Sequence, residues 1–292
     1  MFESVDAVLD ALTAHQYVAD RSLATAIFLS LRLKKPLLLE GEAGVGKTEV
    51  AKTLAAILGT PLIRVQGYEG IDVNSALYEW NYARQIMAIR SAEASGQNPV
   101  DVFGPDFLIK RPILQALEHD GAEPAVLLID ELDRADDEFE AFLLEVLSDF
   151  QVSIPEIGTI TSDNPPVVVV TSNRTRELHE ALKRRCLFHW IGYPDFEKEL
   201  AIVAVRAKEA EESLRRQVVA FVQELRRVKL YKRPGTSETL DWARALVALG
   251  RTEVSESAAG ETLGVLLKNE EDMAMITPER TRELVEAAQR VV

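Results

Sequence analysis

The sequence predicts an α/β protein: a parallel sheet covered by helices on both faces, with a β-hairpin insertion, followed by a small all-helical domain. Three observations predict it. Short, predominantly apolar runs recur at residues 36–40, 62–66, 126–129 and 167–170, the composition of strands buried on both faces of a parallel sheet. Helical patterns separate these runs. Beyond Tyr193-Pro194-Asp195 the composition turns to Ala, Glu, Arg and Leu, with no further strand-like run.

Each element has its own local reason. Val5, Val8, Leu9 and Leu12 recur at helical spacing, as do Leu23, Ile27 and Leu31 after a break near Asp20. The first strand ends at Gly41. Residues 49–58 read as a helix stopped by Gly59 and Pro61. Val152-Ser153-Ile154 and Thr159-Ile160-Thr161 flank Pro155-Glu156-Ile157-Gly158, the pattern of a hairpin inserted before the fourth strand. Residues 177–182 form a short helical stretch. Asp195 is a plausible N-cap for a helix over 197–210, a second helix covers 214–228, Pro234-Gly235-Thr236-Ser237 breaks the pattern, and 238–249 is helical again. The expected cut falls near Pro194, giving an α/β domain over 1–194 and a helical one over 195–292.

Charge narrows the function classes. The 292 residues carry 33 Lys and Arg against 47 Asp and Glu, a net charge of −14. Residues 1–195 hold 17 basic and 30 acidic side chains, so nearly all the excess acid lies in the first domain. That sign argues against a mainly electrostatic grip on nucleic acid or anionic membrane. A lone cysteine, Cys186, forms no internal disulfide. The N-terminal residues lack the pattern of a signal peptide, and the apolar runs are far shorter than the ~20 residues that span a bilayer; a soluble cytoplasmic protein is expected. His15, His119, His179 and His189 have no paired, metal-ligating spacing.

The chemistry is concentrated at strand ends. Gly41-Glu42-Ala43-Gly44-Val45-Gly46-Lys47-Thr48 fits G-x-x-x-x-G-K-[ST] between a strand and a helix. Glycines there let backbone N–H groups curl around phosphate oxygens, and the helix N-terminus adds partial positive charge. Lys47 is then placed for the β- and γ-phosphates of a nucleotide and the Thr48 hydroxyl for Mg²⁺. The third strand ends in Asp130-Glu131: Asp130 is the metal-side acid, acting through the ion's water shell, and Glu131 the acceptor that polarises an attacking water. The fourth strand ends in Asn173, which either positions that water or binds the γ-phosphate. Lys183-Arg184-Arg185 places three cations just before the domain boundary, where a neighbouring subunit meets a nucleotide.

With these signals in this order, the sequence resembles the AAA+ ATPases over roughly residues 24–249. The hairpin within 151–161 and an inserted segment within 67–111 resemble the pre-sensor-1 and helix-2 insertions of the clade that contains the MoxR family. Tyr68-Glu-Gly-Ile-Asp-Val-Asn-Ser-Ala-Leu-Tyr-Glu-Trp80, Phe103-Gly-Pro-Asp-Phe-Leu-Ile-Lys-Arg-Pro112, Asp130-Glu-Leu-Asp-Arg-Ala-Asp136 and Asp149-Phe-Gln-Val-Ser-Ile-Pro-Glu-Ile-Gly158 are similar to its CoxD-like branch, the CO dehydrogenase maturation ATPases. The resemblance implies ATP and Mg²⁺ as cofactors, Lys47 and Thr48 in Walker A, Asp130 and Glu131 in Walker B, Asn173 as sensor 1, and Arg185 as the finger given to the adjacent subunit, with Arg184 as second candidate. Gln66, ending the second strand, falls where such proteins hold the Walker B glutamate. It further implies a hexameric ring, a partner bearing a von Willebrand factor A domain, and a metalloenzyme client, a molybdenum hydroxylase such as CO dehydrogenase.

The sequence departs from that pattern in one place. Gly235-Thr236-Ser237-Glu238-Thr239 has no arginine where relatives carry sensor 2, and neither Arg233 nor Arg244 is preferred as its substitute. A GTPase is excluded by the lack of an Asn-Lys-x-Asp motif, and a two-domain helicase by the single α/β domain. The competing class is an AAA+ loader acting on a nucleic-acid-associated complex, disfavoured by the charge. Two apolar-tipped elements, around 154–157 and within 68–80, either pack on their own domain or meet the client; Ile157, Tyr78 and Trp80 decide between the two.

Overall fold

The structure is a computed structural model describing residues 2–95 and 101–291. They pack into two compact units. The first comprises the chain up to Ala11, Asp20–Glu40 and Thr48–Trp190; the second comprises Leu12–Ala19, Gly41–Lys47 and the chain from Ile191 on.

Among the described residues the strands are β1 (Leu37–Gly41), β2 (Leu62–Gln66), β3 (Tyr78–Trp80), β4 (Leu108–Lys110), β5 (Val126–Asp130), β6 (Gln151–Ile154), β7 (Gly158–Thr161), β8 (Val167–Ser172) and β9 (Leu187–Ile191). Five form the main sheet in the order β2-β5-β8-β1-β9. β5 lies between β2 and β8 and runs parallel to both, and β8 runs parallel to β1. The register aligns their C-terminal ends: Gln66 is opposite Asp130, and Glu40 is opposite Ser172. Chemistry-bearing residues from four strand ends therefore share one edge, the place where open α/β sheets bind ligands. β1 and β5 are buried at every position, which is why both read as unbroken apolar runs.

The predicted strands and hairpin are all present, and Asp20 caps the helix Arg21–Leu33 by accepting from the Leu23 N–H at 2.8 Å. β9 escaped prediction because it ends the sheet order and leaves Phe188 and Trp190 exposed. The segment 67–111 contains the short helix Val73–Ala76, the antiparallel pair β3–β4 and the helix Tyr82–Ser95; its residues 96–100 lie outside the described residues.

The apolar tips turn inward. Trp80 and Ile154 are buried, and Tyr78 and Ile157 pack half-buried against the same core. Exposed apolar surface lies instead on the helix Tyr82–Ser95, where Tyr82, Ile86, Met87 and Ile89 are exposed while Gln85 is buried and donates to the Val102 carbonyl. No helix among the described residues is long and apolar enough to cross a membrane.

The second unit builds its core from the helices Phe196–Arg206, Glu212–Leu225, Thr236–Ala248, Glu256–Leu266 and Pro278–Gln289. The first two end earlier than the sequence pattern suggests, at Arg206 and Leu225. The later helices were not read from the sequence, although their caps are legible: Ser255 accepts from the Ala258 N–H, and Thr277 precedes Pro278 at the first helical position.

One buried polar cluster ties this core together. Arg226 forks onto Glu199 with bonds of 2.6 and 2.7 Å, while Thr239 and Gln223 also donate to that carboxylate. The Arg226 Nε donates to the Pro234 carbonyl at 2.8 Å, and Tyr193 lies under the guanidinium. Glu199 is fully buried and Arg226 nearly so. Breaking one side of such a pair strands a charge, at a cost of ~3–5 kcal/mol, whereas replacing both partners by apolar residues is often close to neutral. Arg226→Ala should therefore lower the thermal midpoint of the helical unit sharply, and Glu199→Leu with Arg226→Met should lose much less, as read by calorimetry.

Candidate active site

β1 runs into the helix Lys47–Leu58 through a turn in which Gly44 and Gly46 take φ of +74° and +94°. Backbone of this left-handed kind turns successive N–H groups to one side and makes an anion cradle. Lys47 is buried, and its Nζ donates to the carbonyls of Gly41 (2.8 Å) and Glu42 (2.7 Å). Within the same unit, Ser237 donates its N–H to the Gly44 carbonyl at 3.1 Å, and a Cβ on Gly44 would meet the Ser237 hydroxyl at 2.4 Å. The turn at Gly235–Ser237 is thus moulded to the phosphate loop.

The two acids at the end of β5 have separate surroundings. Asp130 is buried and accepts from the Thr171 hydroxyl at 2.6 Å, from the Thr48 hydroxyl at 3.0 and 3.3 Å, and from the Arg64 guanidinium at 2.6 Å. Thr48 and Asp130 bring hard oxygen donors together, a set that fits Mg²⁺ completing its shell with water and phosphate oxygen.

Glu131 takes a left-handed backbone, φ 54°, at a cost of order 1–3 kcal/mol that a packed surround must offset. Its N–H donates to the Thr171 hydroxyl. Its carboxylate accepts from Gln66 (3.0 Å), from Asn173 (3.3 Å) and from Arg134 (3.0 Å). The structure thus brings together Gln66, Glu131 and Asn173 from three strand ends.

Asn173 owes its position to Asp133, which accepts from the N–H groups of Asn173 (3.1 Å) and Thr175 (2.8 Å) and from the Thr175 hydroxyl (2.7 Å). Sequence reasoning passed over Asp133, Thr171, Arg134 and Arg64. A third acid three residues after Asp130, and a cation inside an otherwise apolar strand, were the available signals.

Arg184 and Arg185 are both exposed. Arg185 is tied down, donating to the Ser148 hydroxyl (2.6 Å) and the Ala181 carbonyl (3.0 Å). Among the described residues, nothing pairs with the Arg184 guanidinium. Arg244 is engaged with the Arg206 carbonyl and Glu209, while Arg233 lines a cavity of about 150 Å³ with Lys232, Glu238 and Lys268. Thr239 belongs to the Glu199–Arg226 cluster.

Comparison with known proteins agrees with this geometry. Residues 36–186 match the family described as the AAA domain, dynein-related subfamily, and that match covers just over half of the chain. The chain belongs to this AAA family, and with the family comes nucleotide binding at the phosphate loop. An uncharacterized protein of Staphylococcus haemolyticus is 27% identical over 80% of this chain and 84% of its own length, and one of Staphylococcus aureus is 27% identical over 74% and 77%. Among solved structures, a single-residue variant of RuvB from Thermotoga maritima superposes with a TM-score of 0.51 at 17% identity, over 88% of this chain and 72% of its own. That likeness is one of fold: a parallel sheet with a phosphate loop and a helical C-terminal region.

Two expected outcomes follow from the packing. Gly67 closes over β5, and a Cβ there would lie 2.3 Å from the Glu131 carbonyl oxygen. Gly67→Ala should cost about 1–3 kcal/mol by overpacking, read as a lower denaturation midpoint. Burial also pushes the Cys186 thiol up to about 12. The folded state therefore holds this proton above pH 9 where the unfolded state releases it, so stability should fall as pH rises from about 9 towards 12. In native protein at pH 8 the thiol should resist alkylation and react only after denaturation.

Proposed function

We propose that the protein is a Mg²⁺-dependent ATPase that works as a self-assembled ring and remodels a protein client. The observation that carries the reading is the Glu131 carboxylate held between the Gln66 and Asn173 amides, next in sequence to the acid that meets Thr48. Two amide donors hold a water-polarising acceptor in place. Bound Mg²⁺ supplies neutralising charge to the phosphates.

The chain's own residues divide the remaining tasks. The loop from Gly41 to Gly46 cradles phosphate through its N–H groups, and Lys47 adds a full positive charge. Thr48 and Asp130 would hold the ion, Asp130 through water. Glu131 takes the proton of the attacking water, and Asn173 holds Glu131 and the γ-phosphate side in register. Arg185, or the freer Arg184, reaches the site of the next subunit and stabilises charge in the transition state, as arginine fingers do.

The resemblance to the MoxR family supports the finer reading: a hexameric, cytoplasmic, chaperone-like factor that acts beside a von Willebrand factor A domain partner. Similarity to the CoxD-like branch supports maturation of a molybdenum-hydroxylase metal centre as its task.

Glu131→Gln should keep ATP and the assembled form while losing ~10²–10⁴-fold in turnover, the range for a positioned general base. Lys47→Ala should lose nucleotide affinity. Arg185→Ala, with Arg184→Ala in parallel, should bind ATP and lose about 10³–10⁵-fold in rate, and mixing the affected variant with Lys47→Ala should restore part of the turnover at shared sites. A specific rate that stays constant on dilution to monomer would end the shared-site reading.

A further inference from the structure

The least expected neighbour in the site is Arg64. It stands on β2, two residues before Gln66 and so on the same face of the strand, and its Nη2 makes two contacts at once. One is to Asp130 Oδ2 at 2.6 Å, and the other is a short bond to the Gln66 amide oxygen. The other end of that amide donates to Glu131 Oε2 at 3.0 Å. Arg64 and Gln66 thus form a bridge from the metal-side acid to the water-side acid along one strand face.

The environments at the two ends differ. The Asp130 side chain is 4% exposed and that of Arg64 is 52% exposed. A buried carboxylate needs a compensating charge, and Arg64 supplies it from a position open to solvent, on the strand that begins the sheet order. A guanidinium and a divalent cation drawn to one carboxylate repel each other, so each weakens the other's hold.

We propose that Arg64 is a built-in counter-ion that competes with Mg²⁺ for Asp130, and that its displacement, passed on through the Gln66 amide, loosens the hold on Glu131. Arg64 is a positioning residue here, acting through Asp130 and Gln66. The inference rests on the nucleotide-site reading above and deepens it. With Arg64 in place, Asp130 is neutralised and the Gln66 amide is pinned at both ends, which fixes Glu131. When Arg64 swings to solvent, the Gln66 oxygen loses its donor, the amide is free to turn, and the acceptor is released only in metal-loaded protein.

The test uses the full chain with saturating ADP and Mn²⁺ as the paramagnetic probe, free Mn²⁺ being read by electron paramagnetic resonance. Arg64→Gln should bind Mn²⁺ about tenfold more tightly than the unaltered protein, since removing the competitor lifts a penalty. Arg64→Lys, which keeps the charge, should show no such gain. In EDTA, Arg64→Gln should melt below the unaltered protein, with Mn²⁺ and ADP restoring it. The Mg²⁺ concentration for half-maximal ATP turnover should fall in step with the Mn²⁺ affinity. An unchanged or weaker Mn²⁺ affinity in Arg64→Gln overturns the competition, and tighter binding without a shift in the turnover midpoint overturns the link through Gln66. If the unaltered protein binds Mn²⁺ and ADP in a Lys47-dependent way, either failure touches Arg64 alone; if it binds neither, the nucleotide-site reading falls as well.

Discussion

A carboxylate buried at the end of the central strand sets the terms for most of the first unit. Asp130 sits where β2, β5 and β8 finish together, and a negative charge in that position needs donors from every side. Thr171 comes from β8, Thr48 from the helix behind the phosphate loop, and Arg64 from β2. Each donor requires its strand to be in one register, because a slip of one residue would turn the donor to the opposite face. The order β2-β5-β8-β1-β9 and the pairing of Gln66 with Asp130 are thus the geometry in which this acid is satisfied. Glu131 inherits its place from the same constraint: Thr171 accepts its N–H while donating to Asp130, fixing the turn that the left-handed backbone makes.

A second layer holds the groups around Glu131. Asp133 is buried and receives three donors from the loop after β8, so the backbone at Asn173 is fixed by an acid. Arg176 continues the same tie outward, bonding to the Ala135 carbonyl and to buried Glu140, which in turn accepts from the His179 N–H. The short helix Glu180–Lys183, which leads directly into Arg184 and Arg185, therefore begins from a point anchored to the acids after β5. Hydrogen bonds and ion pairs thus run without a break from the loop that holds Asn173 to the residue that begins this helix.

What was legible in the sequence follows from how local each signal is. The phosphate loop, the Asp130-Glu131 pair and the apolar strands are contiguous patterns, and the structure places them at the strand ends where they were expected. Asn173 was legible because it ends a strand, and Gln66 for the same reason. Arg64, Thr171 and Asp133 were not, because each acts through a partner about 40 residues or more away and looks ordinary in its own segment. The apolar tips misled in one direction: Trp80 and Ile154 sit beside turn signals, yet they fill the core of the first unit, while the exposed apolar residues lie on a helix whose buried face is polar at Gln85. β9 was missed because an end strand with alternating exposed aromatics does not look like its buried neighbours.

The helical unit answers the missing sensor arginine in its own way. Within the segment Gly235–Thr239, which lacks an arginine, Thr239 is fully buried and donates to Glu199 beside Arg226. The same cluster holds the Pro234 carbonyl, and the turn that follows presents the Ser237 N–H to Gly44 while Glu238 caps the Gly235 N–H. Gly235 is admitted there only because it has no Cβ, which would lie 2.6 Å from the Ala43 carbonyl oxygen. Contact between the helical residues and the phosphate loop is thus made by main chain, the Ser237 N–H on the Gly44 carbonyl, with the turn held from behind by the Arg226 bond to the Pro234 carbonyl.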